Sequence, residues 1–280
     1  MQNLEISTMD TKSINHFNYL TVNDKDREWG LFLTTCGYQS IPPSKVNPFL
    51  SIHPSVYGFN TKRGRVLDEF QLLFIVKGSG SFESTHCAKT QISAGNIILL
   101  FPGEWHNYSY DAHTGWDEYW VGFDGINARS MMPSSFFSES DPVFKVGIDD
   151  EFISYYKSII EYAEQEAKGY QQVASSIVRH MLGLLYFKTQ NSLFSDKEVV
   201  DKINQARIII RNNINNKISP AEVAEQLGLG YSWFRKAFKK YAGISPAQFQ
   251  LQIRLQRAKD LLLNTNLSVS EIAYELTFDT

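Results

Sequence analysis

The chain has 280 residues, 43% of them hydrophobic and 20% charged, enough apolar material for two domains of ordinary size and too much for an intrinsically disordered chain. The formal net charge of −3 excludes a uniformly basic coat of the kind that binds nucleic acid along its whole length. No apolar run approaches the roughly 20 residues of a membrane span, residues 1–15 lack a signal-peptide pattern, and the two cysteines, Cys36 and Cys87, fit no metal-site spacing, so a cytoplasmic protein without membrane contact is expected.

The charge is unevenly placed. Residues 196–280 carry 12 Lys+Arg against 9 Asp+Glu, while the rest of the chain carries 15 against 21. A mildly basic end on an acidic body points to a nucleic-acid-facing end. From about residue 29 to residue 123 the pattern is strand-like. Residues 72–76 are a continuous apolar run that ends at Lys77-Gly78-Ser79-Gly80, a turn signal. Residues 97–101 form a second run, between Ala94-Gly95-Asn96 and Pro102-Gly103, and residues 119–123 a third. Short strands separated by Gly and Pro turns predict a sandwich or small barrel. Met131-Met132-Pro133-Ser134-Ser135 reads as a linker, after which the period becomes helical. Residues 149–167 and 170–189 read as two helices broken at Lys168-Gly169. The second carries Val173, Ile177, Met181, Leu184 and Leu185 on one side, a stripe suited to the chain's own barrel or to a second copy. A short polar linker follows, and everything after Asp196 reads as helices with sharp turns.

Ser219-Pro220-Ala221-Glu222 is a helix start, with Ser219 as cap, Pro220 at the first helical position and Glu222 closing a capping box. Val223, Ala224 and Leu227 supply an inner face, Gly228-Leu229-Gly230 breaks the helix, and residues 231–241 restart it, which is the plan of a helix-turn-helix. On the second helix Phe234, Phe238 and Tyr241 are spaced to point inward, and Ser232, Arg235, Lys236 and Lys239 to point outward. Such an outer face enters the major groove, where Arg and Lys donate to guanine O6 and N7. Lys240 is better placed for phosphate. By itself the same face also fits a solvated bundle helix.

The segment that follows is more specific. Gly243-x-Ser245-Pro246-x-x-Phe249-x(4)-Arg254-Leu255-x-x-Ala258-x-x-Leu261-Leu262, preceded by Phe238-Lys239-Lys240 and followed by Ser268-Val269-Ser270-Glu271-Ile272-Ala273, resembles the AraC/XylS regulators. The resemblance implies a double-stranded DNA reader with two helix-turn-helix units joined by a long helix, not an enzyme, and a ligand-responsive activator with RNA polymerase as a partner. It places Ser232, Arg235 and Lys236 on the base-reading face. Lys236 stands where the family usually has Arg, trading a planar fork for a point charge. Arg254 falls on the linker helix. The family's second unit continues through a Gly-Phe turn into another recognition helix, whereas here the turn reads Thr277-Phe278 just before Thr280. The expectation is therefore a shortened second unit, apolar surface left exposed by Ile272, Ala273, Leu276 and Phe278, and weak specific binding.

In the strand-rich half, Gly95-x(5)-Phe101-Pro102-Gly103-x-x-His106 resembles the second motif of cupin barrels, the fold of many sugar-sensing domains in that family. The alternative is a cupin-type metalloenzyme with a helical appendage. It needs a cluster of His and carboxylate ligands, and residues 77–89 offer only Glu83 and His86, so no metal, cofactor or catalytic residue is expected. A sugar pocket fits better, because aromatic faces cover C–H surfaces while a few polar groups fix orientation. Glu104-Trp105-His106-Asn107-Tyr108, Trp116 and Trp120 offer such groups. By resemblance to the family's arabinose-type sensors, His106, Tyr108 and Trp120 fall on effector-contacting positions, and Arg63 does so by a looser alignment. Tyr108 and Trp120 equally suit a barrel core, and His106 an inner histidine with its bonds satisfied.

The expected fold class is thus α+β in two domains: a cupin-like β-barrel followed by two helices, then an all-α helix-turn-helix domain. The expected boundaries are residues 1–148 for the barrel with its tail, 149–190 for a helical pair that serves a homodimer, 191–197 for a linker and 198–280 for the DNA-binding domain.

Overall fold

Strands whose residues alternate between two apolar environments build the first part of the molecule. The computed structural model describes residues 15–43, 63–132, 136–192, 197–216 and 218–278. The chain divides into two units, Met1–Gln190 and Asn191–Thr280. Most of the N-terminal tail, the linker residues 133–135 and 193–196, and Thr280 lie outside the described residues.

The first unit contains β1 (His16–Tyr19), α1 (Asp24–Trp29), β2 (Phe32–Ile41), β3 (Arg65–Val66), β4 (Phe70–Ser84), β5 (Thr90–Ser93), β6 (Asn96–Leu100), β7 (Trp105–Tyr110), β8 (Trp116–Asp124), α2 (Ile126–Met131), β9 (Val143–Lys145), α3 (Asp150–Gln165) and α4 (Tyr170–Ser192). Among the described residues a larger antiparallel sheet runs β1-β2-β8-β4-β6-β9, and β4 continues into a smaller one with β5 and β7, β3 pairing on β7.

The signal at Lys77-Gly78-Ser79-Gly80 does not end a strand. β4 runs through it for 15 residues. A register shift falls between Ile75 and Lys77, and Gly78 adopts φ +81°, where a Cβ would come within 2.0 Å of the Gly115 carbonyl oxygen. The glycine marks a bulge that bends one strand around a barrel corner. Residues before the bend pair with β6 and β8, and those after it with β5 and β7.

The larger sheet has two apolar faces. Ile41, Leu73, Ile75, Ile98, Leu100, Trp116 and Trp120 point between the sheets and meet Phe82, Ile92 and Tyr108 from the smaller one. Leu72, Phe74, Leu99, Val121 and Phe123 point the other way, onto α3 and α4. Phe74 packs against Phe152 and Tyr156 of α3 at centroid distances of 6.0 and 6.3 Å, and the Tyr156 hydroxyl donates to the Leu72 carbonyl at 3.0 Å. Full burial of each such side chain contributes about 1.5–3 kcal/mol. On α4 the Gln171 carboxamide accepts from the Leu33 amide at 2.9 Å and donates to its carbonyl at 3.1 Å. Leu33 adjoins a register shift in β2, so a side chain completes the hydrogen bonding that the interrupted ladder leaves open.

The stripe read on the second helix splits in the structure. Met181 and Leu185 are buried with Ala174, Val178 and Leu182 against the chain's own barrel. Ile177 and Leu184 are half-buried, and Val173 and Phe187 are exposed. The first helix of the pair ends earlier than the Lys168-Gly169 break, because Glu166 already takes the left-handed conformation at φ 45°. Cys36 and Cys87 are free thiols, and no helix among the described residues is long and apolar enough to cross a membrane.

The second unit contains α5 (Lys197–Asn212), α6 (Pro220–Gln226), α7 (Tyr231–Ala242), α8 (Pro246–Asn264) and α9 (Val269–Glu275). Capping boxes open α6, α8 and α9, at Ser219/Glu222, Ser245/Gln248 and Ser268/Glu271; each satisfies two otherwise orphaned amides. Phe234 and Phe238 lie fully buried with Ile203, Ala206, Ile210, Val223 and Ala224. Of the four residues expected to be exposed near the C-terminal end, Ile272 and Leu276 are instead buried against Leu261, with Phe278 packed on them. Their neighbours Leu262, Leu263, Val269 and Tyr274 carry the exposed apolar surface there.

Candidate functional site

The space between the two sheets of the first unit holds a hydrogen-bonded chain of polar side chains within an apolar lining. Arg65, on β3, lies opposite His106 of β7 in the ladder. Its guanidinium donates to His106 Nε2 at 3.2 Å, to the Tyr108 hydroxyl at 3.0 Å and to Gln71 Oε1 at 3.5 Å. Gln71 Nε2 in turn donates to Glu69 Oε1 at 2.7 Å, and Thr35 Oγ1 donates to the same oxygen at 3.3 Å. On its other side Glu69 lines an open cavity of about 870 Å³, shared with Tyr19, Arg27, Thr34 and Leu67. A continuous polar path therefore leads from a surface cavity to the interior arginine.

Electrostatics in this space follow from burial. His106 Nδ1 faces the Glu104 carbonyl at 3.2 Å, so it carries the proton and leaves Nε2 to accept from Arg65. Burial, reinforced by the charge of Arg65, lowers the His106 pKa to about 3 and keeps the ring neutral. Glu118 is enclosed on β8, and its pKa is raised to about 8 by burial, with Arg65 pulling it back. Burial also raises the Glu69 carboxyl, against its bonds to Gln71 and Thr35 and the charge of Arg65.

Aromatic faces line the remainder. Trp116 stacks on Tyr108 at 5.7 Å, His106 lies parallel to Tyr108 at 6.4 Å, and Trp120 meets Phe17 at 5.4 Å. The structure thus brings His106, Tyr108 and Trp120 into one interior. Arg63 is placed elsewhere: it is exposed, and its carbonyl accepts from Trp105 Nε1 at 2.9 Å. The arginine that enters the barrel is Arg65, two positions on. Gln39, Glu69 and Gln71 carry no sequence signal that marks them as inward-facing polar residues. For Glu118 a signal existed, since Trp116-x-Glu118-x-Trp120 has the two-residue period that puts all three on one face.

Outside the barrel, His86 Nδ1 lies 3.0 Å from Glu104 Oε1 and 3.2 Å from Glu139 Oε2. Among the described residues this group alone brings ligand atoms close enough to hold a metal ion. Its geometry is also that of an imidazole N–H shared between two carboxylates, with Glu104 further held by Ser84 Oγ at 2.8 Å.

On the second unit, Ser232, Arg235, Lys236, Lys239 and Lys240 are all exposed on α7, opposite buried Phe234 and Phe238. Tyr231 and Trp233 extend the exposed face with aromatic surface. Arg254 is half-buried and donates to the Asn216 carbonyl at 3.2 Å, which gives it a structural task.

Comparison with known proteins agrees with both halves. Residues 52–182 match an AraC-like ligand binding domain, and residues 223–280 match a helix-turn-helix domain. The chain is 25% identical over 227 residues to the Msm operon regulatory protein of Streptococcus mutans, covering 76% of this chain and 77% of that one. It is 24% identical over 219 residues to the raffinose operon transcriptional regulatory protein of Pediococcus pentosaceus, covering 77% and 78% of the two chains. It is 25% identical over 218 residues to the lactose operon transcription activator of Staphylococcus xylosus, covering 76% and 77%.

Proposed function

The chain belongs to the AraC family of transcription regulators and is a ligand-responsive DNA-binding protein rather than an enzyme, and from that premise we propose that it is an activator whose effector is a sugar bound inside the barrel. The observation that carries this reading is the make-up of the interior: Arg65, Gln71 and His106 form a fixed polar set between the aromatic faces of Tyr108, Trp116 and Trp120. Flat apolar surface with a few oriented hydrogen-bonding groups is what a carbohydrate ring requires. The names of the raffinose and lactose operon regulators support the same class of effector. In this reading His106, Tyr108 and Trp120 contact the sugar, and Arg65 takes the part first assigned to Arg63.

The DNA interface is the exposed face of α7. Ser232, Arg235 and Lys236 face base edges, and Lys239 and Lys240 face phosphates. A homodimer, working in the cytoplasm with RNA polymerase, completes the proposal. Val173, Ile177, Leu184 and Phe187 leave an apolar edge on α4 at spacings that keep to one side of a helix, and paired DNA modules gain avidity. Calorimetric titration of the full chain with raffinose, lactose and common pentoses and hexoses tests the effector assignment. Saturable binding of at least one is expected, and no binding across the series refutes a sugar effector. Sedimentation as a monomer at micromolar concentration refutes the dimer.

A further inference from the structure

We propose that Gln39, Glu118 and Trp116 form a hydroxyl-reading subsite on the β2–β8 wall of the barrel, which takes two adjacent hydroxyl groups of a neutral pyranose. The proposal rests on the barrel being the effector site and adds the atoms that choose the ligand. Gln39 and Glu118 oppose each other in the β2–β8 register, and they are only 1% and 3% exposed. Side chains opposed in this way stand about 4.5–5.5 Å apart at Cβ. Gln39 Oε1, Glu118 Oε2 and Trp116 Nε1 are each buried without a hydrogen-bond partner among the described residues. Buried polar atoms are paired in nearly all native structures, and exceptions call for a specific cause. Here three of them share one face of one strand pair.

The surroundings define the missing partner. Trp116 and Trp120 flank Glu118 along β8 on the same face, and Tyr108 backs Trp116. A Cβ at Gly37 would lie 2.4 Å from Trp120 Cζ2, so the glycine lets the indole close onto β2 beside Gln39. The polar pair is thus held between two indoles. Two acceptors and one N–H donor are answered by two hydroxyls and a further oxygen. A hydroxyl also serves either protonation state of Glu118, because it both donates and accepts. An anionic ligand brings only acceptors and leaves Gln39 Oε1 unpaired, and an apolar ligand leaves all three atoms unpaired.

The test is calorimetric titration of the full chain, with Gln39→Met and Glu118→Gln variants, using galactose, raffinose, lactose and then the monodeoxygalactoses. For the sugar the wild type binds, each variant is expected to weaken binding ten-fold or more. The deoxy sugar that lacks the hydroxyl read by Gln39 binds wild type and Gln39→Met equally weakly. Gln39→Met melts no lower than wild type when empty, because it removes an unpaired atom, and this separates lost recognition from lost folding. If the variants bind the same sugar as tightly as wild type, the subsite is wrong while the sugar reading stands. If the wild type binds neither these sugars nor any of the common pentoses and hexoses, the sugar reading fails and takes the subsite with it.

Discussion

Replacing Glu118 by Gln should flatten the dependence of the barrel's stability on pH. The folded protein raises the Glu118 pKa from 4.5 to about 8 through burial. Between those values the folded form keeps a proton that the unfolded chain has lost, so stability is greatest below the unfolded value and falls as pH rises. One pKa unit corresponds to about 1.4 kcal/mol, so the whole shift sets a ceiling of about 5 kcal/mol, and the local slope is about 1.4 kcal/mol per pH unit for the one proton involved. For a unit of this size about 1 kcal/mol moves Tm by roughly 2–4 °C. Melts of the full chain, followed by the near-ultraviolet circular dichroism of buried Trp116, should be compared between pH 6.5 and 8. That window avoids the opposite trend from His106, which is buried neutral and costs stability only as pH falls below its ordinary value of 6.5. The wild type should lose about 3–6 °C per pH unit more than Glu118→Gln at the lower end of that window, and about half as much near pH 8, where half the folded molecules have lost the proton. Parallel pH profiles would falsify the claim that Glu118 is enclosed and protonated when the barrel is empty.

Arg65→Met should abolish effector binding in calorimetry while Arg63→Met leaves it unchanged, because only Arg65 reaches His106, Tyr108 and Gln71; equal effects of the two would contradict the placement of the site. On DNA, fluorescence anisotropy across a salt series should separate two kinds of contact. Lys240→Ala lowers affinity for all sequences and reduces the salt slope by about one, whereas Arg235→Ala costs about 1–3 kcal/mol at a particular base position. Tyr156→Phe removes the bond to the Leu72 carbonyl and should lower the stability of the first unit by about 1 kcal/mol, seen as a small drop in Tm without loss of effector binding.

Periodicity made some of this legible beforehand. On α7 the 3.6-residue repeat alone separates buried Phe234 and Phe238 from exposed Arg235 and Lys236, because a helix is a local structure whose faces follow from spacing. The β4 corner was not legible. A glycine pair after an apolar run signals a turn and a bulge equally, and only the partners contributed by β5 and β7 decide between them. Arg65 and Arg63 share the same strand parity, so nothing local separates them; the distinction is made by pairing with His106, 41 residues away. Gln39 is a similar case, since its proposed role depends on lying opposite Glu118 across two distant strands. The α4 stripe was visible as apolar, but its division into a buried half and an exposed edge depends on where the sheet stops covering it.

β4 stands between two compartments, and its consecutive residues belong to different ones. Leu73 and Ile75 look into the space between the sheets, while Leu72 and Phe74 form the seat of α3. The wall is a single backbone thick, with no loop or second layer to absorb movement. If a sugar ring binds inside, as proposed, its push on Leu73 and Ile75 would reach α3 through one shared backbone, as through a membrane stretched between two chambers, and Tyr156, fastened to the Leu72 carbonyl, would be placed to register it.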